Sequence, residues 1–238
     1  MSRLVWDATD ERIYETGVDH GVLYVKDGNT YENGVVWNGL SSVTEKPSGG
    51  EANAIYADNI KYLNMMSAEE FGATVEAYTY PDEFMECDGS RMVVPGIIIE
   101  GQTRKSFGLT YRTRIGSEDD ADLGYKIHLI YNAKAAPSEK TRSTVNDSPE
   151  ATQFSWELTT TPSVPTAVDS NDKPYKPVAH LVIRSTDFKT EPEKEKLKLL
   201  EDTLYGRDAS GSGQNAVTAL EPTLLSLDEI ITLLGEQG

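Results

Sequence analysis

Two long segments of alternating apolar and polar residues constrain the fold most. The first covers residues 104–115 (RKSFGLTYRTRI) and the second covers residues 124–133 (GYKIHLIYNA), with an acidic turn between them. A period of two residues is typical of β-strands, whose successive side chains point to opposite faces. We therefore predict that the two segments form one long hairpin and that the fold is built on antiparallel strands.

The same pattern recurs through the first 185 residues and predicts a mainly β fold. Further strands are predicted at residues 22–25, 35–37 with a continuation over 41–45, 71–80, 152–161 and 178–183. Residues 54–63 carry apolar and aromatic residues on both sides of a polar turn, which predicts a separate hairpin. Residues 81–87 predict one or two helical turns, because Pro81 suits the first helical position and acidic residues follow it.

The last part of the chain predicts helices instead. Residues 191–205 carry Leu197, Leu200 and Leu204 at helical spacing, and Gly206 is a natural stop. Residues 222–234 predict a second, leucine-rich helix that needs a docking surface on its own domain or on a neighbour. The predicted division is a β domain of residues 1–205 with a flanking helix at 190–205, a flexible linker at 206–216 and a helical extension at 217–238.

The net charge, the lack of long apolar runs and the single cysteine exclude several classes of protein. The sequence has 22 Lys and Arg against 39 Asp and Glu, a net charge of −17, whereas a nucleic-acid-binding protein needs a positive surface. No run of 18 apolar residues predicts a membrane span and the N-terminus lacks an apolar signal core, so we expect no membrane anchor. Cys87 is the only cysteine, which excludes a disulfide framework and a cysteine zinc site.

No motif predicts an active site, and we expect the chain not to be an enzyme. The P-loop, dinucleotide-binding and nucleophile-elbow patterns are all absent. His20, His128 and His180 lack metal-ligand spacing, so a structural or solvent-exposed role is favoured over catalysis. The acidic residues 118–122 offer oxygen ligands to calcium but lack the spaced pattern of a calcium loop, which favours a solvated hairpin tip. We therefore expect no catalytic, cofactor-binding or metal-binding residues.

Four of the 22 positive side chains gather around one predicted strand. They are Arg104, Lys105, Arg112 and Arg114. One interpretation is a solvated outer face, and the other is an interface with an acidic neighbour, including another copy of this chain. A basic strip that faces an acidic patch would offset the self-repulsion of a chain with this net charge.

Several segments resemble the major tail proteins of long-tailed bacteriophages, which are the subunits of the tail tube. They include residues 56–63 (YADNIKYL), 76–84 (EAYTYPDEF), 104–109 (RKSFGL), 124–131 (GYKIHLIY), 136–140 (APSEK), 145–150 (VNDSPE) and 154–157 (FSWE), together with 3–7 (RLVWD) and 14–19 (YETGVD). The matches are collinear and span residues 3–205, while the C-terminal residues resemble the family less.

The resemblance implies a tail-tube-type β-sandwich or partial barrel with a flanking α-helix, in a subunit that forms hexameric rings stacked into a hollow tube. The implied partners are further copies of the chain, a tape measure protein in the lumen, tail terminator and distal tail or baseplate proteins at the ends, and phage DNA in transit without specific binding. The implied location is the virion, after assembly in the bacterial host cytoplasm.

The resemblance also implies which residues make contacts between subunits. The arm between subunits or rings is assigned to Ile55, Tyr56, Ala57, Asp58, Asn59, Ile60, Lys61 and Tyr62. Candidate strands of a shared tube barrel carry Arg104, Lys105, Arg112, Arg114, Lys126 and His128. Closing a sheet across subunits removes exposed strand edges. Deletion of residues 53–62 is therefore expected to leave a folded monomer that forms no tubes.

Two other interpretations stay open at this point. The chain could be a ring-forming tail terminator or a secretion-type tube protein, which belongs to the same structural class. It could instead be a surface carbohydrate-binding or adhesin module, in which Trp37, Tyr78 and Tyr80 stack on sugars.

Overall fold

The computed structural model describes residues 6, 12–145, 147, 151–168, 171–210 and 217–235. The strands are β1 (Ile13–Val25), β2 (Val35–Val36), β3 (Leu40–Glu45), β4 (Ser48–Gly49), β5 (Ala52–Ala57), β6 (Ile60–Met66), β7 (Glu69–Glu70), β8 (Gly72–Ala77), β9 (Arg91–Val94), β10 (Ile97–Ile99), β11 (Phe107–Ser117), β12 (Gly124–Ala135), β13 (Phe154–Thr160) and β14 (His180–Arg184). The helices are α1 (Met85–Asp88), α2 (Glu191–Tyr205) and α3 (Leu227–Gly235). The prediction of a mainly β fold is confirmed. The parts of the resemblance at residues 3–5, 7, 146 and 148–150 lie outside the described residues.

Eight strands form one antiparallel sheet in the order β2-β1-β11-β12-β13-β8-β3, with β14 paired to β12. The predicted hairpin is its centre, since β11 pairs with β12 from Phe107 opposite Ala133 to Ile115 opposite Gly124. The other edge of β12 pairs first with β14 and then with β13. Asn132 lies at this change of partner with a left-handed φ of 49°, which asparagine tolerates better than most residues.

The two ends of the sheet approach each other, so that it curls into a partial barrel. The backbone N–H of Trp37, just before β3, donates to the carbonyl of Gly21 in β1 at 2.8 Å. Leu40 at the start of β3 packs so closely on Gly21 that a Cβ there would lie 2.3 Å from Leu40 Cδ1. Glycine at this position therefore allows β3 to meet β1.

The inner face of the curled sheet encloses the larger hydrophobic core. Leu23, Val75, Leu109, Ala133 and Leu158 are each buried in it and come from five different strands. Trp37, Phe84 and Trp156 form an aromatic cluster at one end, with ring centroids 4.5–5.6 Å apart. The predicted helical turns are found here as a short 3-10 turn (Asp82–Phe84) followed by α1, which ends at Gly89 with a left-handed φ of 81°. The turn buries Phe84 and so covers that end of the core.

The outer face of the central strands is buried by the C-terminal helices. Leu200 and Leu204 of α2 pack against Tyr24 and Leu129, and the Tyr24 hydroxyl donates to the Leu204 carbonyl at 2.6 Å. Helix α2 begins with a capping box, in which the Thr190 side chain and the Glu193 carboxylate each accept a hydrogen bond from the other residue's backbone N–H. The sheet is therefore buried on both faces along β11 and β12.

The C-terminal helix docks on its own domain. Leu224 and Ile230 are buried in the same outer core as α2. The helix begins at Leu227, five residues later than predicted, because the backbone N–H groups of Thr223 and Leu224 donate to the carbonyls of Thr203 and Tyr31 at 2.8 and 3.0 Å. Those bonds hold the chain extended up to Ser226, whose side chain then caps the helix.

The described residues on either side of the predicted linker's centre are hydrogen-bonded to each other. Arg207 and Ser210 exchange paired backbone hydrogen bonds with Leu220 and Val217 respectively, at 2.7–3.1 Å. Residues 211–216 lie outside the part of the chain that the structure describes. The division of the chain at residues 205 and 216 stays a prediction.

Three strand predictions differ from the structure. Strand β1 extends back to Ile13, because its first half pairs with the end of β11. Residues 40–45 do not continue the strand at 35–37 but form β3, which pairs with β8. The hairpin of β9 and β10 was not predicted. No helix among the described residues is long and apolar enough to cross a membrane.

Candidate functional site: the projecting hairpins and the histidine cluster

The predicted arm is a hairpin of β5 and β6 that stands outside the main sheet. Its turn is Asp58-Asn59, both with left-handed φ angles of 49° and 64°, as a two-residue hairpin loop of the favoured type requires. All eight predicted arm residues lie in it. Seven large apolar side chains of the arm are 39–71% exposed: Ile55, Tyr56, Ile60, Tyr62, Leu63, Met65 and Met66.

The arm is unusual for a monomer. Within the described residues, β5 and β6 pair only with each other, and the short β4–β7 pair joins them to the main sheet at Gly72. An isolated two-stranded hairpin is marginally stable in water, and contiguous exposed apolar residues mark interaction sites. The arm is therefore a candidate surface for binding another protein.

A second hairpin, formed by β9 and β10, exposes a further apolar surface. Met92, Val93, Val94, Ile97, Ile98 and Ile99 are 40–58% exposed. The turn contains Pro95 and Gly96, the latter with a φ of 87°. Alternation could not reveal this hairpin, because its residues are apolar on both faces. The sequence feature that indicates this hairpin is the run of β-branched residues on both sides of Pro-Gly.

The four basic residues do not form one strip. Arg104 and Lys105 precede β11 at the α1 end of the sheet, where Arg104 donates to the Asp88 carbonyl and Lys105 pairs with Glu86 at 2.5 Å. Arg112 and Arg114 lie near the other end of β11. Both donate to Asp19, at 2.9 and 3.1 Å.

The acidic partners of these residues therefore come from the same chain, which is a physical reason against the predicted strip facing an acidic neighbour. Lys126 likewise pairs with Glu15. The role of the strands β11 and β12 in a shared barrel stays a prediction.

The Asp19 cluster gives a prediction for acid stability. Burial opposes ionisation of Asp19, but hydrogen bonds from Arg112, Arg114 and His20 lower its pKa from 3.8 to about 2. A carboxylate with a depressed folded-state pKa stabilises the fold above its unfolded pKa, and this contribution is lost as the pH falls. We expect wild-type stability to fall more steeply between pH 4 and 2 than that of Asp19→Asn, measured by urea unfolding. Asp58→Asn at the exposed arm tip is the control and keeps the wild-type slope. Equal slopes for wild type and Asp19→Asn would contradict this account.

The structure brings together two histidines that the sequence places far apart. His128 in β12 and His180 at the start of β14 share the inner face, because Ile130 is opposite His180 and His128 is opposite Val182. Nδ1 of His128 lies 3.3 Å from Nε2 of His180. The ring planes differ by 13° and the centroids are 5.4 Å apart, so the rings meet edge to edge.

Glu45, at the end of β3, completes this histidine cluster. Its Oε1 lies 3.1 Å from His128 Nδ1 and 3.7 Å from His180 Nε2. The Tyr111 hydroxyl donates to the same oxygen at 2.7 Å. Burial lowers the pKa of both imidazoles, although the charge of Glu45 acts in the opposite direction. Both rings are therefore favoured in the neutral form at neutral pH.

A second layer of side chains fixes the histidine rings. Tyr111 stacks on His128 with centroids 4.6 Å apart, and Phe71 stacks on His180 at 4.4 Å. Nε2 of His128 lies 3.1 Å from the Thr113 hydroxyl, which donates to Glu15 at 2.5 Å. The sequence could not show this cluster, since its three members lie on three strands and meet only through the curl and the register of the sheet.

The residues considered for sugar stacking do not form a platform. Trp37 is buried, with its indole N–H donating to the Thr79 carbonyl at 3.0 Å. Tyr80 packs edge-on against Phe154 and Trp156. Only Tyr78 of the three is exposed. The interpretation as a carbohydrate-binding surface built on these three residues is therefore wrong.

Burial raises the pKa of the Cys87 thiol to about 12, with a further contribution from the charge of Glu86. This thiol belongs to α1, is buried and is protonated at neutral pH. Nucleophilic chemistry needs the thiolate, so the cysteine is suited to packing.

Comparison with known proteins gives a distant similarity among solved structures. No family model and no curated protein match the sequence. Among solved structures, the chain is similar to one in the cryo-EM structure of an extracellular contractile injection system, a PVC sheath-tube complex in the extended state. The alignment covers 69% of this chain and 88% of that chain, with 11% identity and a TM-score of 0.32.

Proposed function

We propose that the chain is a structural subunit that assembles with copies of itself into a hollow tube. The observation that carries the proposal is the projecting arm, which exposes large apolar side chains and has no strand beside it within the described residues. The occupant of this surface is a second copy of the chain. The resemblance to tail tube subunits in the sequence further supports this function and implies six-membered rings.

The edges of the main sheet support the same proposal. Before Gly21, the first half of β1 pairs with β11 on one side, and no other described strand pairs with its free side, since β2 reaches only Val22 and Leu23. Among the described strands, β14 pairs only with β12. A four-stranded segment, β1-β11-β12-β14, therefore has an open edge on each side. Open edges are templates for pairing with other chains, and a ring of copies that pair through them would close the sheet and remove the edges.

The net charge fits a tube that conducts DNA. Each subunit carries −17 at neutral pH, so a lumen lined by part of this charge would repel DNA rather than hold it. On this proposal, the further partners are those of a tail tube: a tape measure protein inside, a terminator and distal tail or baseplate proteins at the ends, and DNA in transit. The assembled protein belongs to the virion.

Assembly of the purified chain is expected to increase with salt. The apolar contacts must overcome repulsion between subunits of net charge −17. Raising the salt concentration from 0.1 to 1 M shortens the screening length from about 10 to about 3 Å. We expect the assembled fraction, measured by sedimentation velocity, to rise over this range in NaCl and equally in KCl. A fraction that falls with salt would show that ion pairs rather than apolar contacts hold the subunits together, and would contradict the proposed role of the arm.

The form of the assembly separates the proposal from its nearest alternative. Rings that stack into tubes support a tube subunit. Single rings that never stack, at any protein concentration, support a terminator-like ring protein instead.

A further inference from the structure

The histidine cluster has the composition of a transition-metal site. It offers two imidazole nitrogens and one carboxylate oxygen, from His128, His180 and Glu45, and these three atoms all lie within 4.8 Å of one another. Two imidazoles with a carboxylate suit zinc and its neighbours among the divalent transition metals, whereas calcium and magnesium prefer oxygen ligands alone.

We propose that His128, His180 and Glu45 bind a divalent transition metal ion, preferentially zinc. The proposal rests on the folded single chain and is independent of the proposed assembly.

The distances match a tetrahedral site. The three ligand atoms are separated by 3.1, 3.3 and 3.7 Å. With bonds of 2.0–2.1 Å, two nitrogen ligands of a tetrahedral zinc ion lie about 3.3–3.4 Å apart. The ion would therefore fit between the three atoms with side-chain shifts of a few tenths of an ångström, and the fourth position would be open to water.

The surroundings of His128 supply the outer contact that a metal-binding histidine uses. Such a histidine usually donates its second N–H to a carboxylate, a carbonyl or a water, which fixes the tautomer and the ring orientation. Nε2 of His128 faces the Thr113 hydroxyl, which is itself bound to Glu15. Stacking against Tyr111 and Phe71 restricts rotation of both rings.

A metal ion here would join strands that the sheet does not pair. Glu45 belongs to β3 and His180 to β14, and these strands are not neighbours in the sheet. The only strand that pairs with β14 in the described part of the chain is β12, over five residues. The ion would hold β14 in place at a second point, so the metal-bound fold should be more stable than the metal-free fold.

The test is direct binding of ZnCl₂ to the full chain, purified without a histidine tag and stripped with a chelator. Isothermal titration should show one site per chain with a Kd in the micromolar range or tighter, and MgCl₂ should show none. His180→Gln should weaken zinc binding at least 100-fold, and Thr113→Val should weaken it about 10–100-fold. The control is His20→Asn, which removes the histidine outside the cluster and should bind like wild type.

The visible absorption of bound Co²⁺ tests the site in the wild-type chain and does not depend on how well the variants fold. Co²⁺ added to the wild-type chain should give the intense visible absorption of a tetrahedral nitrogen and oxygen site, and ZnCl₂ should remove it. One zinc per chain, this spectrum and loss of both in His180→Gln support the site. Absence of zinc binding to the wild-type chain, or equal zinc affinity in His180→Gln and wild type, overturns it.

Discussion

Removal of the arm is expected to abolish tube formation and to leave a folded monomer. The arm forms its own two-stranded sheet and contributes nothing to the two buried cores, so the rest of the fold does not depend on it. Its seven exposed apolar side chains are the largest such group that one hairpin presents within the described part of the chain. Deleting residues 53–62 should therefore remove the contact with the neighbouring copy without exposing core.

The experiment compares this deletion with a gentler change. A triple substitution, Tyr56→Ser, Ile60→Ser and Tyr62→Ser, keeps the hairpin backbone and its Asp58-Asn59 turn but removes three side chains that are 63–70% exposed. Both variants should sediment as monomers. The triple variant should keep the circular dichroism of the wild type, and the deletion variant should differ from it only by the lost hairpin. Lys61→Ser is the matched control and should assemble normally. Normal tubes from the deletion variant would refute the role given to the arm.

Truncating Trp156 should cause the largest loss of stability of any single substitution in the inner core. The side chain is fully buried and contacts Trp37, Phe84 and Phe154, with ring centroids 5.1–5.8 Å away. Replacing a buried aromatic side chain by alanine costs about 3–5 kcal/mol, because transfer energy is lost and a cavity remains. We expect Trp156→Ala to lower the free energy of unfolding by this amount, measured by urea unfolding of the monomeric arm variant.

Two controls define this result. Tyr78→Ala removes an exposed aromatic side chain just after β8 and should change the free energy of unfolding by less than about 0.5 kcal/mol. Trp156→Phe keeps a ring in the cluster and should cost less than half as much as alanine. If Trp156→Ala lowers the free energy of unfolding by less than about 1 kcal/mol, the aromatic cluster does not stabilise the inner core as proposed.

The sequence predicts most of the strands because the two faces of each strand differ in polarity. Alternation located β11, β12 and β13 to within a few residues, since one face of each strand meets the core. The Asp58-Asn59 turn located the arm, because few residue types adopt two successive left-handed conformations. In these segments, the pattern of neighbouring residues is sufficient to predict the secondary structure.

Other features depend on contacts between distant residues, which local patterns do not encode. The order of the strands places Glu45, His128 and His180 within one cluster, although 83 residues separate Glu45 from His128 and 52 separate the two histidines. The start of α3 is set by backbone bonds to Tyr31 and Thr203 rather than by its own leucines. The β9–β10 hairpin has no polar face, so its pattern does not distinguish an exposed hairpin from a buried segment.

The most direct test of the proposed function is negative-stain electron microscopy of the purified full chain, over a range of protein and salt concentrations. The proposal predicts rings or tubes with a central hole, most abundant at high salt, which disappear in the arm deletion. Particles of the size of a single chain under every condition would contradict it.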